Sequence, residues 1–394
     1  MATHASAAPR PSLLERAREI APLVESRAEQ AEHERTLPGE TVAALAKAGI
    51  FRACLPPALG GEEPDFTACI EAWEEIARAD GSAGWTAMAN ATAAGAAAHY
   101  LPFEAARAIF GDDPAATVGG QFAPRGTGVR EAGGWRVTGS FSFGSGTAHS
   151  GYVAAGFLPL EDGKPLLDPS GLPRMLAAII PRDRIAFTDN WHVMGLRGTG
   201  SYDYEVRGVH VPDDFAFRLF ENHPRHASAI YRMGMMPITA SGHAAWALGV
   251  GRRALDEVRG MAHEKTRMGH PTPLAGRMTF QRGFAAAEAK LRAARLYVLD
   301  AFGAALETSR RGNEVGIQER AQMRLATCHA TDVAREVADF AHDAAGTAAI
   351  RDGHPLHRAF LDLHTGSLHA FINERVAIDC AEVMLGRKTE VPGL

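Results

Sequence analysis

The sequence predicts an α+β protein with an N-terminal helical domain, a central β domain built as a small barrel or sandwich, and a C-terminal four-helix bundle. Helical periodicity fills the first and last thirds of the chain, whereas alternating apolar and polar residues fill the middle. The 394 residues, of which 46% are hydrophobic, suffice for several domains with large cores. We place the domains at residues 1–116, 117–227 and 228–394.

Helices are expected through residues 12–118. In the first segment, SLLERAREIAPLVESRAEQAEHE, apolar residues recur on one helical face. The segments TVAALAKAGIF and PDFTACIEAWEEIARAD continue this pattern. The next segment, GSAGWTAMANATAAGAAAHYL, is small and apolar almost throughout, which indicates a helix that is buried on all sides.

Residues 117–217 carry the signals of β-strands. Runs rich in β-branched and aromatic residues are separated by Gly, Pro and Asp. Two stretches rich in Gly, Ser and Thr adjoin these runs, GSFSFGSGTAHSG at 139–151 and VMGLRGTGSYD at 193–203. Strand ends of this kind can present small hydroxyls and backbone N–H groups to a flat heteroaromatic ring.

Four long amphipathic segments with short breaks follow from about residue 228 and predict the bundle. The last of them carries Asp362, His364 and His369 on one predicted helix. Because residues 364 and 369 would lie roughly 140° apart around that helix, we expect no metal site there. Asp362 is expected to pair with Arg358 one turn earlier.

Composition and missing motifs exclude several functions. The net charge of −5 argues against nucleic acid or an anionic membrane as partner, and no apolar run reaches the roughly 18 residues of a membrane span. The first residues lack the apolar core of a signal peptide, so we expect a cytoplasmic protein. The four scattered cysteines indicate buried thiols rather than a zinc site. Nucleotide-binding glycine motifs and a GxSxG elbow are not found.

The order of domains and four motifs resemble the acyl-CoA dehydrogenase superfamily. The motifs are ARADGSAGWTAMAN (77–90), GWRVTGSFSFGSGTAHSGYVAAGF (134–157), WHVMGLRGTGSYDYEVRGVHVP (191–212) and HRAFLDLHTGSLH (357–369). Within the superfamily the sequence is similar to the two-component flavin-dependent monooxygenases, of the p-hydroxyphenylacetate hydroxylase and dibenzothiophene monooxygenase type. Such a chain is the oxygenase component.

The resemblance implies an activity and its partners. Reduced flavin, FMNH₂ or FADH₂, comes from a separate NAD(P)H-dependent flavin reductase and reacts with O₂. The C4a-hydroperoxyflavin then hydroxylates a small organic substrate or oxidises its nitrogen or sulfur. The chain is also expected to form a homotetramer.

Two alternatives stay open at this point. An FAD-dependent acyl-CoA dehydrogenase would need a carboxylate base over the substrate. The late acids of this sequence lie in an ordinary amphipathic context: Glu374, Asp379 and Glu382. The other alternative is a non-catalytic relative that keeps the fold as a binding or assembly protein.

The same resemblance implies roles for particular residues. Ser145 and Gly146 would reach the N5 edge of the flavin, and His369 would lie near C4a and hold or deliver a proton. Arg267 would bind the flavin phosphate as a bidentate donor, and Gly346 would leave room for the nucleotide part.

Further candidates lie around the ring. Thr199 and Ser201 are small donors in a Gly-rich turn. Arg197 either pairs with phosphate or links the β domain to the bundle. The candidates for the walls of the substrate pocket are Trp85, Asn90, His149 and His364.

Overall fold

The computed structural model describes residues 11–62, 65–169, 171–220, 223–226, 228–391 and 393–394. Residues 1–10, on which the expectation about a signal peptide depends, lie outside this part. The described residues before the sheet contain six α-helices: α1 (Leu13–Ser26), α2 (Ala28–Glu34), α3 (Gly39–Lys47), α4 (Phe66–Ala79), α5 (Gly81–Tyr100) and α6 (Phe103–Phe110).

Helix α5 passes through the centre of the molecule. Asp80 is its N-cap, and the carboxylate of Asp80 accepts the backbone N–H of Ala83 at 2.8 Å. All of its residues except Ala89 are buried, which confirms the expected helix without a polar face. Its small side chains allow close packing: a Cβ at Gly84 would lie 2.4 Å from the Cα of Ala77 in α4.

The strands form one mixed sheet in the order β6-β7-β2-β1-β3-β5-β8, with β4 paired to β3. Strands β1 and β3 are parallel, and the other neighbours are antiparallel. The strands are β1 (Val118–Glu131), β2 (Gly134–Phe141), β3 (Tyr152–Glu161), β4 (Lys164–Pro165), β5 (Leu176–Pro181), β6 (Ala186–Thr188), β7 (Asp203–Pro212) and β8 (Ala216–Arg218).

The sheet has its own hydrophobic core. Alternate residues of its strands point into this core, with Trp135, Phe157 and Tyr204 among the largest side chains. Phe141 stacks on Tyr204 with ring centroids 4.9 Å apart. The predicted β domain is thus confirmed, and it is a single mixed sheet.

The C-terminal region contains α7 (Met235–Met261), α8 (Met278–Arg310), α9 (Ile317–Ala345), α10 (Pro355–Gly366) and α11 (Glu374–Met384). Helix α7 packs along α9 and also against α4, so apolar residues of the first and last regions share one continuous core. The predicted order of a helical region, a sheet and a second helical region is confirmed.

The fourth helical segment of this region was predicted as one helix, and this prediction was wrong. The chain leaves the helix after Gly366 and starts again at Glu374. Two side chains stabilise the break by accepting backbone N–H groups: His369 Nδ1 accepts that of Phe371 at 3.2 Å, and Asn373 Oδ1 caps α11.

Two expectations from composition concern the described residues as a whole. No helix in this part of the chain combines the length and the apolar character of a bilayer-spanning segment. The four cysteines are free and buried, as predicted.

Candidate active site

The loop after β2 presents Ser145 beside α5. Phe143 and Gly146 have φ of 60° and 70°, so the chain turns sharply here. Asn90 of α5 fixes the turn, because its Nδ2 donates to the Ser150 hydroxyl at 2.9 Å. A Cβ at residue 146 would lie 2.0 Å from Asn90 Oδ1, so the position requires glycine. Asn90, predicted as a pocket wall, is fully buried and anchors the turn from behind.

Trp85 and Ser145, predicted for different roles, meet in the structure. The indole Nε1 of Trp85 donates to Ser145 Oγ at 3.0 Å. Among the described residues, the proton of the Ser145 hydroxyl has no acceptor. A serine hydroxyl both donates and accepts, and Ser145 is only half-buried, so its O–H remains available to a ligand.

Two histidine rings pack against Trp85, and the ring of Phe371 packs against both histidines. His243 comes from α7, and His369 and Phe371 come from the segment between α10 and α11. The ring centroids of His243 and His369 are 4.3 Å apart, and they lie 4.9 and 5.6 Å from that of Trp85. We call Trp85, Ser145, His243, His369 and Phe371 the Trp85 cluster.

The imidazole of His369 is neutral in this environment. Burial, with the nearby Arg324 guanidinium as a smaller cause, lowers the pKa of His369 to about 4. Because Nδ1 accepts the N–H of Phe371, the ring proton is on Nε2. At neutral pH His369 is therefore a hydrogen-bond donor through Nε2, rather than an imidazolium acid.

His243 was missed by the sequence analysis. Burial lowers its pKa well below the ordinary value, and the neighbouring His369 and Arg324 add to this effect. The available signal was a histidine in the apolar run SGHAAWALG, one turn before the buried Trp246. A polar ring on the apolar face of a helix needs a partner or a function.

Arg324 of α9, also missed, lies beside the cluster. Its guanidinium carbon is 5.5 Å from the centroid of Phe371. The residue is 3% exposed, and Nε and Nη1 are buried without a hydrogen-bond partner in the part of the chain that the structure describes. Burial lowers the pKa of Arg324, and no carboxylate approaches it among these residues.

The Gly-rich stretch before β7 packs against helices and buries its own hydroxyls. Thr199 Oγ1 and Ser201 Oγ lie 2.7 Å apart, and Thr199 also donates to the Leu196 carbonyl at 3.0 Å. Both side chains are buried, so their hydroxyls are engaged inside the protein. Arg197 is 42% exposed and lies 3.8 Å from Glu32 of α2, which favours its role as a link between elements.

Asp362 joins α10 to this stretch. Its Oδ1 accepts the backbone N–H of Leu196 at 2.5 Å, and Oδ2 is buried beside Gly81 without a partner. The predicted ion pair with Arg358 was wrong: Arg358 instead approaches Asp80 at 3.6 Å and Glu32. Burial, together with the nearby Asp80, raises the pKa of Asp362 to about 8.

Arg267 and Gly346, both predicted to contact the flavin and far apart in the sequence, are neighbours in the structure. Arg267 Nη2 donates to the Asp343 carbonyl and, at 3.0 Å, to the Ala344 carbonyl at the end of α9. Gly346 follows with φ of 58° and ψ of −138°, and a Cβ on it would lie 3.5 Å from Nη2. Arg267 is exposed, so its remaining N–H groups face outward.

The other two candidates make contacts elsewhere. His364 pairs with Asp339 of α9 at 2.8 Å and packs on Phe360. The ring of His149 lies 3.4 Å from Thr36 Oγ1, and burial lowers its pKa to about 4. No ring contact joins either histidine to the Trp85 cluster among the described residues.

These groups fit a flavin. The Ser145 hydroxyl and Nε2–H of His369 have no acceptor among the described residues, and Arg267 keeps outward N–H groups, whereas flavin rings and phosphates present acceptors. In the described part of the chain, no group of side chains could hold a metal ion. The acids considered for a dehydrogenase lie on α11, where Asp379 and Glu382 pair with Arg375 and Lys388.

Comparisons with known proteins agree with this fold. The family models "Acyl-CoA dehydrogenase, N-terminal domain" and "Acyl-CoA dehydrogenase, C-terminal domain" match residues 13–103 and 241–374. Indole-3-acetate monooxygenase of Pseudomonas putida is 32% identical over 363 residues, which cover 92% of this chain and 90% of that protein. The oxygenase subunit HsaA of Mycobacterium tuberculosis, a flavin-dependent monooxygenase, is 28% identical over 370 residues, 89% of each chain. The crystal structure of M. tuberculosis HsaA superimposes with a TM-score of 0.89 at 25% identity, covering 97% of this chain and 99% of that chain.

The chain therefore belongs to the acyl-CoA dehydrogenase family. Within this family it is a flavin-dependent monooxygenase, the oxygenase component of a two-component system that uses reduced flavin and O₂. This confirms the predicted class and disfavours the acyl-CoA dehydrogenase and non-catalytic alternatives.

Proposed function

We propose that oxygen transfer takes place at the Trp85 cluster, with Ser145 and His369 as its catalytic residues. One observation carries this proposal. Side chains from α5, from the loop after β2 and from the segment after α10 converge, and Ser145 keeps an uncommitted hydroxyl proton there. Bound reduced flavin supplies the two electrons with which O₂ gives one oxygen atom to the substrate and one to water.

Each residue has a separate task in this proposal. Ser145 donates its hydroxyl proton to an acceptor at the edge of the flavin ring, while the indole N–H of Trp85 orients the hydroxyl. His369 donates through Nε2 as a neutral imidazole. Gly146 lets Asn90 pack against the back of the turn and so helps to hold Ser145 in place, since a Cβ there would meet Asn90 Oδ1.

We assign the flavin phosphate to Arg267. Its outward N–H groups lie next to Gly346, where the missing side chain leaves the guanidinium accessible. Arg197, Thr199 and Ser201 position the wall of this region through internal contacts. We propose that Arg267 serves the flavin of a neighbouring subunit in a homotetramer.

The substrate class follows from the walls of the cluster. Trp85, His243, His369 and Phe371 present ring faces and edges, which suit a planar aromatic molecule. The relative from Pseudomonas putida is named for indole-3-acetate, itself aromatic. We propose a small aromatic substrate, and a separate NAD(P)H-dependent reductase as the source of reduced flavin.

The test is isotopic. Protein loaded anaerobically with photoreduced FMN or FAD is mixed with ¹⁸O₂ and an aromatic substrate such as indole-3-acetate. We expect one ¹⁸O atom per product molecule, and a loss of about a hundredfold in product formation rate for His369→Ala. His364→Ala is the matched control, because His364 pairs with Asp339 on α9. Reduced flavin oxidised as fast as in free solution, with no labelled product, would contradict the proposal.

A further inference from the structure

Arg324 is a buried cation without a counter-charge. It is 3% exposed, its Nε and Nη1 atoms lack hydrogen-bond partners, and its only ring contact among the described residues is with Phe371. Burial lowers its pKa, and no carboxylate pairs with it among the described residues. A guanidinium in such surroundings is strongly unfavourable unless an anion joins it.

The position of Arg324 connects it to the Trp85 cluster. Its guanidinium carbon lies 5.5 Å from the ring centroid of Phe371. That centroid lies 4.9 Å from the ring centroid of His369 and 5.6 Å from that of His243. The charge of Arg324 is felt at both histidines. An anion held by Arg324 would therefore sit one ring away from the two imidazoles.

Another buried arginine of α9 has a partner within the protein. Arg320, one turn before Arg324, is 7% exposed and donates from Nε to the Met233 carbonyl at 3.4 Å. The same helix can thus satisfy a buried guanidinium from within the protein. Arg324 instead keeps its donors next to rings that are proposed to contact substrate.

We propose that Arg324 binds an anionic group of the substrate, so that the enzyme selects aromatic carboxylic acids over neutral aromatics of the same shape. This inference rests on the proposed function, since it names the substrate class of that site. A carboxylate accepts two parallel N–H bonds from a guanidinium, which leaves the aromatic body of the acid against Phe371 and His369.

Binding of matched acids and amides tests this inference. The protein is saturated anaerobically with photoreduced flavin and titrated by calorimetry with indole-3-acetate, phenylacetate and their carboxamides. The acids are expected to bind at least about tenfold more tightly than the amides. Arg324→Met is expected to abolish this preference by weakening the acids alone, and Arg324→Lys to keep part of it. Arg320→Met should leave the preference unchanged.

Several outcomes would overturn the inference. These are equal binding of acids and amides by the wild type, no binding of either acid, or an equal loss of both ligands in Arg324→Met. Weaker binding of the reduced flavin itself in Arg324→Met would assign the arginine to the cofactor instead. If the wild type takes up no flavin, the proposed function also fails; flavin uptake without a charge preference contradicts only the role of Arg324.

Discussion

Trp85 donates its indole N–H to the hydroxyl of Ser145 across 3.0 Å, and this bond joins α5 to the loop after β2. The indole fills an acceptor position of the hydroxyl and so restricts where its proton points. A contact between two side chains therefore sets the direction of the donor that we assign to the flavin.

Ser145→Ala is expected to uncouple flavin oxidation from oxygen transfer. Loss of one directed hydrogen bond, worth about 1.4 kcal/mol, corresponds to roughly tenfold less product per reduced flavin consumed. The ratio of product to hydrogen peroxide measures it. Trp85→Phe keeps an aromatic ring but loses the N–H, so its effect should be smaller. Full coupling in Ser145→Ala would exclude a role for this hydroxyl.

Arg267→Met is expected to weaken flavin binding through the phosphate. We predict about tenfold weaker binding of FMN and no change for riboflavin, which lacks the phosphate. Fluorescence titration measures both affinities. Arg277→Met is the matched control, since this nearby arginine donates to the carbonyls of Thr272 and His270. Equal losses for FMN and riboflavin would remove Arg267 from the phosphate site.

Asp362→Asn is expected to stabilise the protein at alkaline pH. The folded pKa of about 8 lies above the ordinary 3.8, so the folded state holds a proton that the unfolded state releases. The contribution of this carboxyl to the free energy of unfolding is at its maximum below pH 4. It falls by roughly 1 kcal/mol per pH unit as the pH rises to about 8. Urea unfolding at pH 6 and 8 should show a smaller decline in Asp362→Asn. The amide keeps an acceptor for the Leu196 N–H. An unchanged decline would mean that Asp362 is ionised in the folded protein.

Buried histidines are expected to limit stability in acid. The pKa values of His99, His149 and His369 are each lowered to about 4 from 6.5, chiefly by burial. The unfolded chain therefore binds their protons first, and each group removes roughly 1 kcal/mol per pH unit as the pH falls from 6.5 to 4. Above pH 6.5 this contribution is constant. As the pH falls, the three histidines lower the unfolding free energy by more than Asp362 raises it. The unfolding free energy should therefore be greatest near pH 6.5.

The midpoints of urea unfolding at pH 5 and pH 7 measure this loss of stability in acid. His149→Gln should reduce the difference between the two midpoints, because glutamine carries no titrating ring. His33→Gln, on the surface of α2, should leave the difference as it is in the wild type. A wild-type protein as stable at pH 5 as at pH 7 would show that these histidines titrate normally in the folded state.

Leu296→Glu is expected to disrupt the homotetramer. Met278 and Leu296 of α8 are 83% and 57% exposed, and their spacing of five whole turns puts them on one face. We expect a wild-type mass of four times the 42.0 kDa chain by light scattering, and a lower mass in the variant. Val129→Glu, at a 56% exposed site on the sheet, should remain tetrameric. A monomeric wild type would contradict the proposed assembly.

The sequence predicted most of the fold because periodicity reports burial directly. The fully apolar segment became the buried α5, and the alternating runs became the sheet. The break between α10 and α11 was not predicted, since it depends on His369 and Asn373 accepting backbone N–H groups rather than on a proline or a run of glycines. Such side-chain hydrogen bonds end a helix at single residues without changing its apolar periodicity. The periodicity therefore does not reveal them.

The candidate site was predicted in part. Trp85, Ser145 and His369 came from motif resemblance, and the structure brings them together. His243 and Arg324 were missed, because a single polar residue in a long helix looks the same whether it faces solvent or a cluster. The Thr199 and Ser201 hydroxyls looked available in sequence, but only the fold shows that they bond to each other.

The long separation between the members of the Trp85 cluster also affects how the protein is made. Trp85 and Ser145 are 60 residues apart, and His369 follows only after most of the sheet and bundle have been synthesised. Domains generally fold as they leave the ribosome, starting from the N-terminus. A nascent chain can therefore form the sheet, which has its own core, well before its site is complete. The proposed site is therefore complete only when the last part of the chain has been added.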